Sequence, residues 1–210
     1  MDHVIEIGHP LVQHHLCQLR DKATRPAEFR RLIHRLSILL AYEATKTLAL
    51  KKTPVATPLT LTTGQTLRER VGLVPILRAG LGMVDPILNL IPDAEVWHLG
   101  VYRDEKTLQP VEYYKKLPKD DAVDVALILD PMLATGGSAV AALDAVHGWG
   151  VANVKLLSMI AAPEGLRVVQ RKYPSTQIFV CAIDSHLNEN GFIVPGLGDA
   201  GDRTFNAQAQ

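Results

Sequence analysis

The sequence predicts an α/β protein with a mostly parallel sheet flanked by helices. Three observations carry this. Short apolar runs at 71–77, 125–129, 154–162 and 177–183 read as buried strands. Helical segments lie between them, as parallel crossovers require. Charged residues stand at strand carboxyl ends, where ligands of parallel sheets bind: Arg78 after 71–77, Asp130 after 125–129, and Arg103 after a further strand over 96–102.

The chain has 210 residues, of which 47% are hydrophobic, enough for one domain over 1–210 with a sizeable core. Within it, 1–50 is a helical N-terminal part and 184–205 a small C-terminal hood. Lys plus Arg equals Asp plus Glu at 22 each, so no basic excess points to nucleic acid or an anionic membrane. Cys17 and Cys181 fall in a predicted helix and strand and are expected as buried thiols in a reducing cytosol. The start Met1-Asp2-His3 opens no signal peptide, and no apolar run could span a bilayer, so a cytoplasmic location is expected.

His9-Pro10 opens the first helix, with Val12, Leu16, Leu19 and Ala23 on one face. Pro26 opens a longer one, whose stripe is Phe29, Leu32, Ile33, Leu36, Leu39 and Leu40. Neither carries a chemical motif, and subunit contact is the expected role. His3, His9, His14, His15 and His34 lack matched acid or Cys partners and read as surface or capping residues. Residues 53–66, rich in Thr and Pro, read as a β hairpin or arm turning at Thr63-Gly64. A strand over 96–102 precedes a long aperiodic stretch, 104–118, of the kind that forms lids. A helix from Pro163 to Tyr173 and a loop-like, glycine-rich segment over 184–205 complete the chain.

The stretch from Val125 to Ser138 organises the rest. An apolar strand ends in Asp130, and Pro131, Met132, Leu133, Ala134, Thr135, Gly136, Gly137 and Ser138 lead into a helix. The first N–H groups of a helix lack intrahelical partners and sit at its positive pole, so this junction suits a phosphate. Thr135 and Ser138 can add hydroxyl donors, and Asp130 can accept from two vicinal hydroxyls. A ribose 5-phosphate presents both groups. The spacing matches neither a Walker loop nor a dinucleotide fingerprint. Arg78-Ala79-Gly80-Leu81-Gly82 repeats the logic at another strand end, with Arg78 placed to bind an anion.

These strings resemble the type I phosphoribosyltransferases, and Asp130-Pro131 in place of two adjacent acids resembles the uracil branch. Residues 74–83 resemble that family's pyrophosphate loop, and 102–118 its flexible catalytic loop. Residues 191–203 resemble its base-binding hood. The resemblance runs from His9-Pro10-Leu11-Val12 to Phe205, with 51–66 matching loosely. Phe192 stands where the family usually has Tyr, and the ending 206–210 also departs from it.

The resemblance implies transfer of the 5-phosphoribosyl group from phosphoribosyl pyrophosphate (PRPP) to uracil, giving UMP and pyrophosphate in pyrimidine salvage. It implies catalytic roles for Asp130, Arg103 and Asp199. PRPP contacts are implied for Arg78, Arg103, residues 130–138 and Asp199. Uracil contacts are implied at Ile193, Gly198, Asp199 and Ala200. Mg²⁺ would be the cofactor, held mainly by PRPP and water rather than by protein ligands. GTP activation and a homodimer or homotetramer are further expectations of the resemblance, with no nucleic-acid or membrane partner. Two other readings stay open: a nucleotide- and RNA-binding regulator on this fold, and transfer to a different base.

Overall fold

The computed structural model describes residues 3–103, 110–115 and 121–207, with only the backbone course at 101–103, 110–113 and 115. The elements in order are β1 (Val4–Glu6), α1 (Pro10–Arg20), α2 (Pro26–Ala44), β2 (Leu50–Ala56), β3 (Leu61–Leu67), β4 (Val71–Leu77), a 3₁₀ turn (Ala79–Met83) and α3 (Val84–Leu90). Then come β5 (Glu95–Val96), β6 (Leu99–Arg103), β7 (Pro110–Lys115), β8 (Val125–Leu129), β9 (Met132–Leu133) and α4 (Gly137–Gly148). The chain continues with β10 (Asn153–Ala161), α5 (Pro163–Lys172), β11 (Gln177–Ile183), β12 (His186–Leu187), β13 (Ile193–Val194) and α6 (Ala200–Phe205).

The main sheet runs β1-β11-β10-β8-β4-β6-β7, parallel except for the β6–β7 pair. Strand β8 supplies both faces. Val125, Leu127 and Leu129 join a core with α1, α2 and α3, whereas Ala126 and Ile128 join one with α4 and α5. This alternation is the strand's two-residue period at work. It explains why a doubly covered strand reads as a continuous apolar run. The N-terminal helices are therefore one layer of the core. His9 caps α1 by accepting from the Leu11 N–H at its Nδ1, and Pro10 and Pro26 occupy first turns.

After β4 the chain turns to β5 and β6; after β8 it turns the other way, to β10 and β11. The switch point thus lies between β4 and β8, which pair through Pro75 and Leu129 just short of Arg78 and Asp130.

Several expectations change. Cys17 is exposed on α1, although Cys181 is buried as expected. Ala23 is exposed, because α1 stops at Arg20 and an Asp21 turn follows, its carboxylate accepting from the Ala23 N–H. The arm turns at residues 57–60, where the Thr57 hydroxyl accepts from the Leu59 and Thr60 N–H groups; Thr63-Gly64 lies inside β3. The strand expected over 96–102 breaks at Trp97-His98. Segment 184–205 holds a small β12–β13 hairpin and helix α6, too short for periodicity to reveal. Residues 104–109 and 116–118 of the expected lid lie outside the described residues.

Candidate active site

The Asp130 loop is built on β10. The carbonyl of Leu157 accepts from the Asp130 N–H, and the Pro131 carbonyl accepts from the N–H groups of Met159 and Ile160. Pro131 is buried, while Met132, Ala134, Thr135 and Ser138 line a cleft of about 90 Å³ with Asp130. Gly136 closes the turn at φ +83°, a conformation that other residues rarely adopt. A Cβ there would also meet the Gly165 carbonyl at 2.8 Å. Gly136 has no side chain to cap α4, and among the described residues no side chain takes the first N–H groups of that 12-residue helix, so they can face a ligand.

The turn after β4 packs directly on this loop. A Cβ on Gly80 would stand 2.3 Å from the Leu129 carbonyl, so only glycine lets the two strand ends approach. Arg78 projects from this turn and donates to Asp202 of α6 at 3.2 Å. Arg103 ends β6 on the far side of β4, so the backbone brings all three expected strand-end residues to one edge of the sheet. Its side chain lies outside the described residues.

Asp130 keeps part of its surface open, yet strand ends and loop crowd its carboxyl. Burial pushes its pKa up to about 7; the Met132 N–H opposes this and the nearby charge of Asp199 adds to it. At neutral pH the carboxyl is therefore poised between its two forms. Among the described residues, no three His, Cys, Asp or Glu side chains gather into a metal-binding group.

Asp199 caps α6, its carboxylate accepting from the Asp202 N–H at 2.8 Å. Gly198 and Asp199 border a second cavity of about 400 Å³ beside the hood, while Ile193 and Ala200 are buried beneath. Sequence reasoning missed the residues that hold this segment in place. Arg20 forms a bidentate pair with Asp184, and Arg203 donates to the carbonyls of Leu19, Leu197 and Asp21. The single local signal is that Arg20 and Asp21 lie at the end of α1, where exposed carbonyls attract a cation such as Arg203.

Comparison with known proteins bears on this arrangement. The family model described as Uracil phosphoribosyltransferase matches residues 6–207. A curated Uracil phosphoribosyltransferase of Roseiflexus castenholzii is 57% identical over 98% of this chain and 99% of its own length. That of Brevibacillus brevis is 50% identical over 99% and 100%. The solved structure of AQ2163 protein from Aquifex aeolicus superposes with a TM-score of 0.93 at 38% identity, covering 99% of this chain and 100% of its own. A purine phosphoribosyltransferase from Pyrococcus horikoshii shares the fold alone, with a TM-score of 0.51 at 14% identity over 73% and 87% of the two chains. Over nearly its whole length, the chain belongs to the uracil phosphoribosyltransferase family.

Proposed function

We propose that the protein transfers the 5-phosphoribosyl group from PRPP to uracil, forming UMP and releasing pyrophosphate. The observation that carries this is the pairing at the switch point, where an acid with an open helix N-terminus and a turn bearing Arg78 share one edge. The N–H groups at the start of α4, with Thr135 and Ser138, bind the 5-phosphate. Residues 131–134 and 136–137 carry the loop. Asp130 accepts from the two ribose hydroxyls, while Arg78 and Arg103 take the pyrophosphate. Uracil lies against the hood, read by backbone groups at Ile193 and 198–200.

The bond from the anomeric carbon to pyrophosphate breaks, and the bond to uracil N1 forms. The N1 proton leaves through water near Asp199, and no covalent nucleophile is required. Positive charge grows on the ribose as pyrophosphate departs, so catalysis rests on positioning and electrostatics. Asp130 and Asp199, whose charges act on each other, suit a hard cation that arrives on a diphosphate and keeps most of its water. Mg²⁺ carried in on PRPP and its water, beside these two acids, would supply neutralisation of charge on the leaving group.

The chain works as one domain and assembles as a homodimer or homotetramer. The exposed Leu59 and Leu61 of the arm and Tyr42 of α2 support assembly. GTP activation follows from family resemblance alone; rates with and without GTP test it. The decisive experiment is UMP formation from uracil and PRPP, with and without Mg²⁺. No product with uracil, but product with another base, would overturn the reading.

A further inference from the structure

The turn at 193–196 is held by a partly buried ion pair between Asp184 and Arg20, the latter 176 positions from Gly196. Arg20 Nη1 and Nη2 donate to the two carboxylate oxygens of Asp184 at 2.8 and 2.5 Å. Arg20 Nη1 also donates to the Gly196 carbonyl at 2.8 Å, and the Gly196 N–H donates to Asp184 Oδ2 at 2.9 Å. Both backbone groups of Gly196 are thus gripped by one pair. The Asp184 side chain is only 4% exposed, and its own N–H donates to the Ala161 carbonyl, so the acid is anchored to the end of β10. Gly196 itself allows no substitute. It has φ +65°, and a Cβ would lie 2.0 Å from the Ile193 carbonyl.

We infer that Arg20 and Asp184 are positioning and specificity-determining residues, which set the backbone of 193–198 against the base. The inference rests on the proposed reading of the hood as the base site. Its logic is chemical. A site that reads a base through main-chain groups cannot tune itself by side-chain choice, so its accuracy depends on what immobilises the main chain. A bidentate guanidinium–carboxylate pair does so with directional bonds at both ends. A lysine ammonium, a single compact charge, cannot reproduce the fork by which two guanidinium nitrogens reach these three oxygens.

The test is steady-state kinetics of Arg20→Lys and Asp184→Asn with uracil, cytosine and PRPP varied in turn. Uracil KM should rise about tenfold and uracil-over-cytosine preference should fall by a similar factor, with PRPP KM within about twofold of wild type. Amide exchange at Gly196 and Leu197 should quicken in step. Uracil and PRPP KM rising together, or neither moving in a folded variant, would overturn the inference. Should Asp184→Asn fail to fold, Arg20→Lys carries the same readouts, because its side chain reaches the surface and is 23% exposed. Gly198→Val separates the two levels of argument. If it leaves uracil use untouched, the hood is not the base site. If it abolishes uracil use while Arg20→Lys keeps wild-type KM and preference, only the positioning role falls.

Discussion

Arg78 is bonded to Asp202 at 3.2 Å, which ties the turn after β4 to the helix that closes the hood. The Arg78 side chain is 61% exposed, so the pair contributes about 0–1 kcal/mol. A pyrophosphate group, which carries more than one negative charge, displaces such a partner readily. Asp202→Asn should therefore tighten PRPP binding by about two- to threefold at low salt, and the gain should fade as screening increases. Arg78→Ala should weaken PRPP and pyrophosphate by about tenfold or more, and uracil far less. Isothermal titration with each ligand measures both. Equal losses for all three ligands would assign Arg78 a structural role.

Gly80 and Gly82 make a matched pair. A Cβ at Gly80 would meet the Leu129 carbonyl at 2.3 Å and Pro75 Cα at 3.2 Å, both rigid backbone beside Asp130. At Gly82 the nearest atoms are methyls of Ile33 and Thr204, at 3.4 Å. Gly80→Ala should thus cost about 1–3 kcal/mol, lower Tm by several degrees and sharply weaken PRPP binding. Gly82→Ala should stay close to wild type in both. Thermal melts with and without PRPP check this; equal behaviour of the two variants would contradict the packing argument.

Much of this was legible because the relevant signals are local. The apolar runs for β4, β8, β10 and β11 reflect burial on two faces, and each strand end carries its charged residue or glycine turn immediately after it. Arg78 and Asp130 could therefore be placed from sequence alone. The hood was not legible in the same way. Its shape depends on Arg20 meeting Asp184 across 164 positions and Arg203 meeting Leu19 across 184, and no window of sequence contains either contact. Helix α6 has six residues, fewer than two turns, so it shows no stripe. Cys17 misled for another reason. Residue type favours burial, but its position on α1 faces away from the Val12, Leu16 and Leu19 stripe, and position decides.

Asp130 links stability to pH with a definite sign. Its pKa in the folded protein is about 7, above its ordinary value of 3.8. Between those pH values the folded state binds more protons than the unfolded state, so this group's contribution falls as pH rises. It is fully present below about pH 4 and gone above about pH 7, where the charged carboxylate is held in a crowded site. Asp130→Asn removes the charge and keeps the shape. It should raise Tm at pH 8 by a few degrees, less than full burial would give because part of the group still meets water. The same substitution should slow transfer by tens- to hundreds-fold, since charge-assisted bonds to ribose are worth about 1.5–3 kcal/mol. In the wild type, kcat/KM for PRPP should climb through about pH 7, and the variant should lose that limb. A variant with wild-type turnover, or with unchanged Tm at pH 8, would remove Asp130 from this role.

Uracil presents acceptors at O2 and O4 and a donor at N3, whereas cytosine presents a donor at C4 and an acceptor at N3. Backbone groups aimed at uracil would meet both cytosine positions as like facing like. A site of that kind rejects the wrong base by about 10⁴-fold, because buried groups lose their partners. Ile193 is 6% exposed, with its side chain in the core beside Leu197 and Ala200. Ile193→Ala should therefore cost about 2–4 kcal/mol of stability yet keep the discrimination, since its main chain remains. Gly198 has φ +77°, and a Cβ there would meet Arg203 Cδ at an ordinary contact distance of 3.5 Å. Its constraint is conformational rather than steric. Gly198→Val should abolish uracil use, because a β-branched residue strongly resists that conformation. Gly198→Asn should retain much of it, because Asn tolerates positive φ. The measurement is kcat/KM for uracil and cytosine in all three variants. Cytosine accepted by Ile193→Ala, together with a silent Gly198→Val, would mean that side chains, not the main chain, read the base.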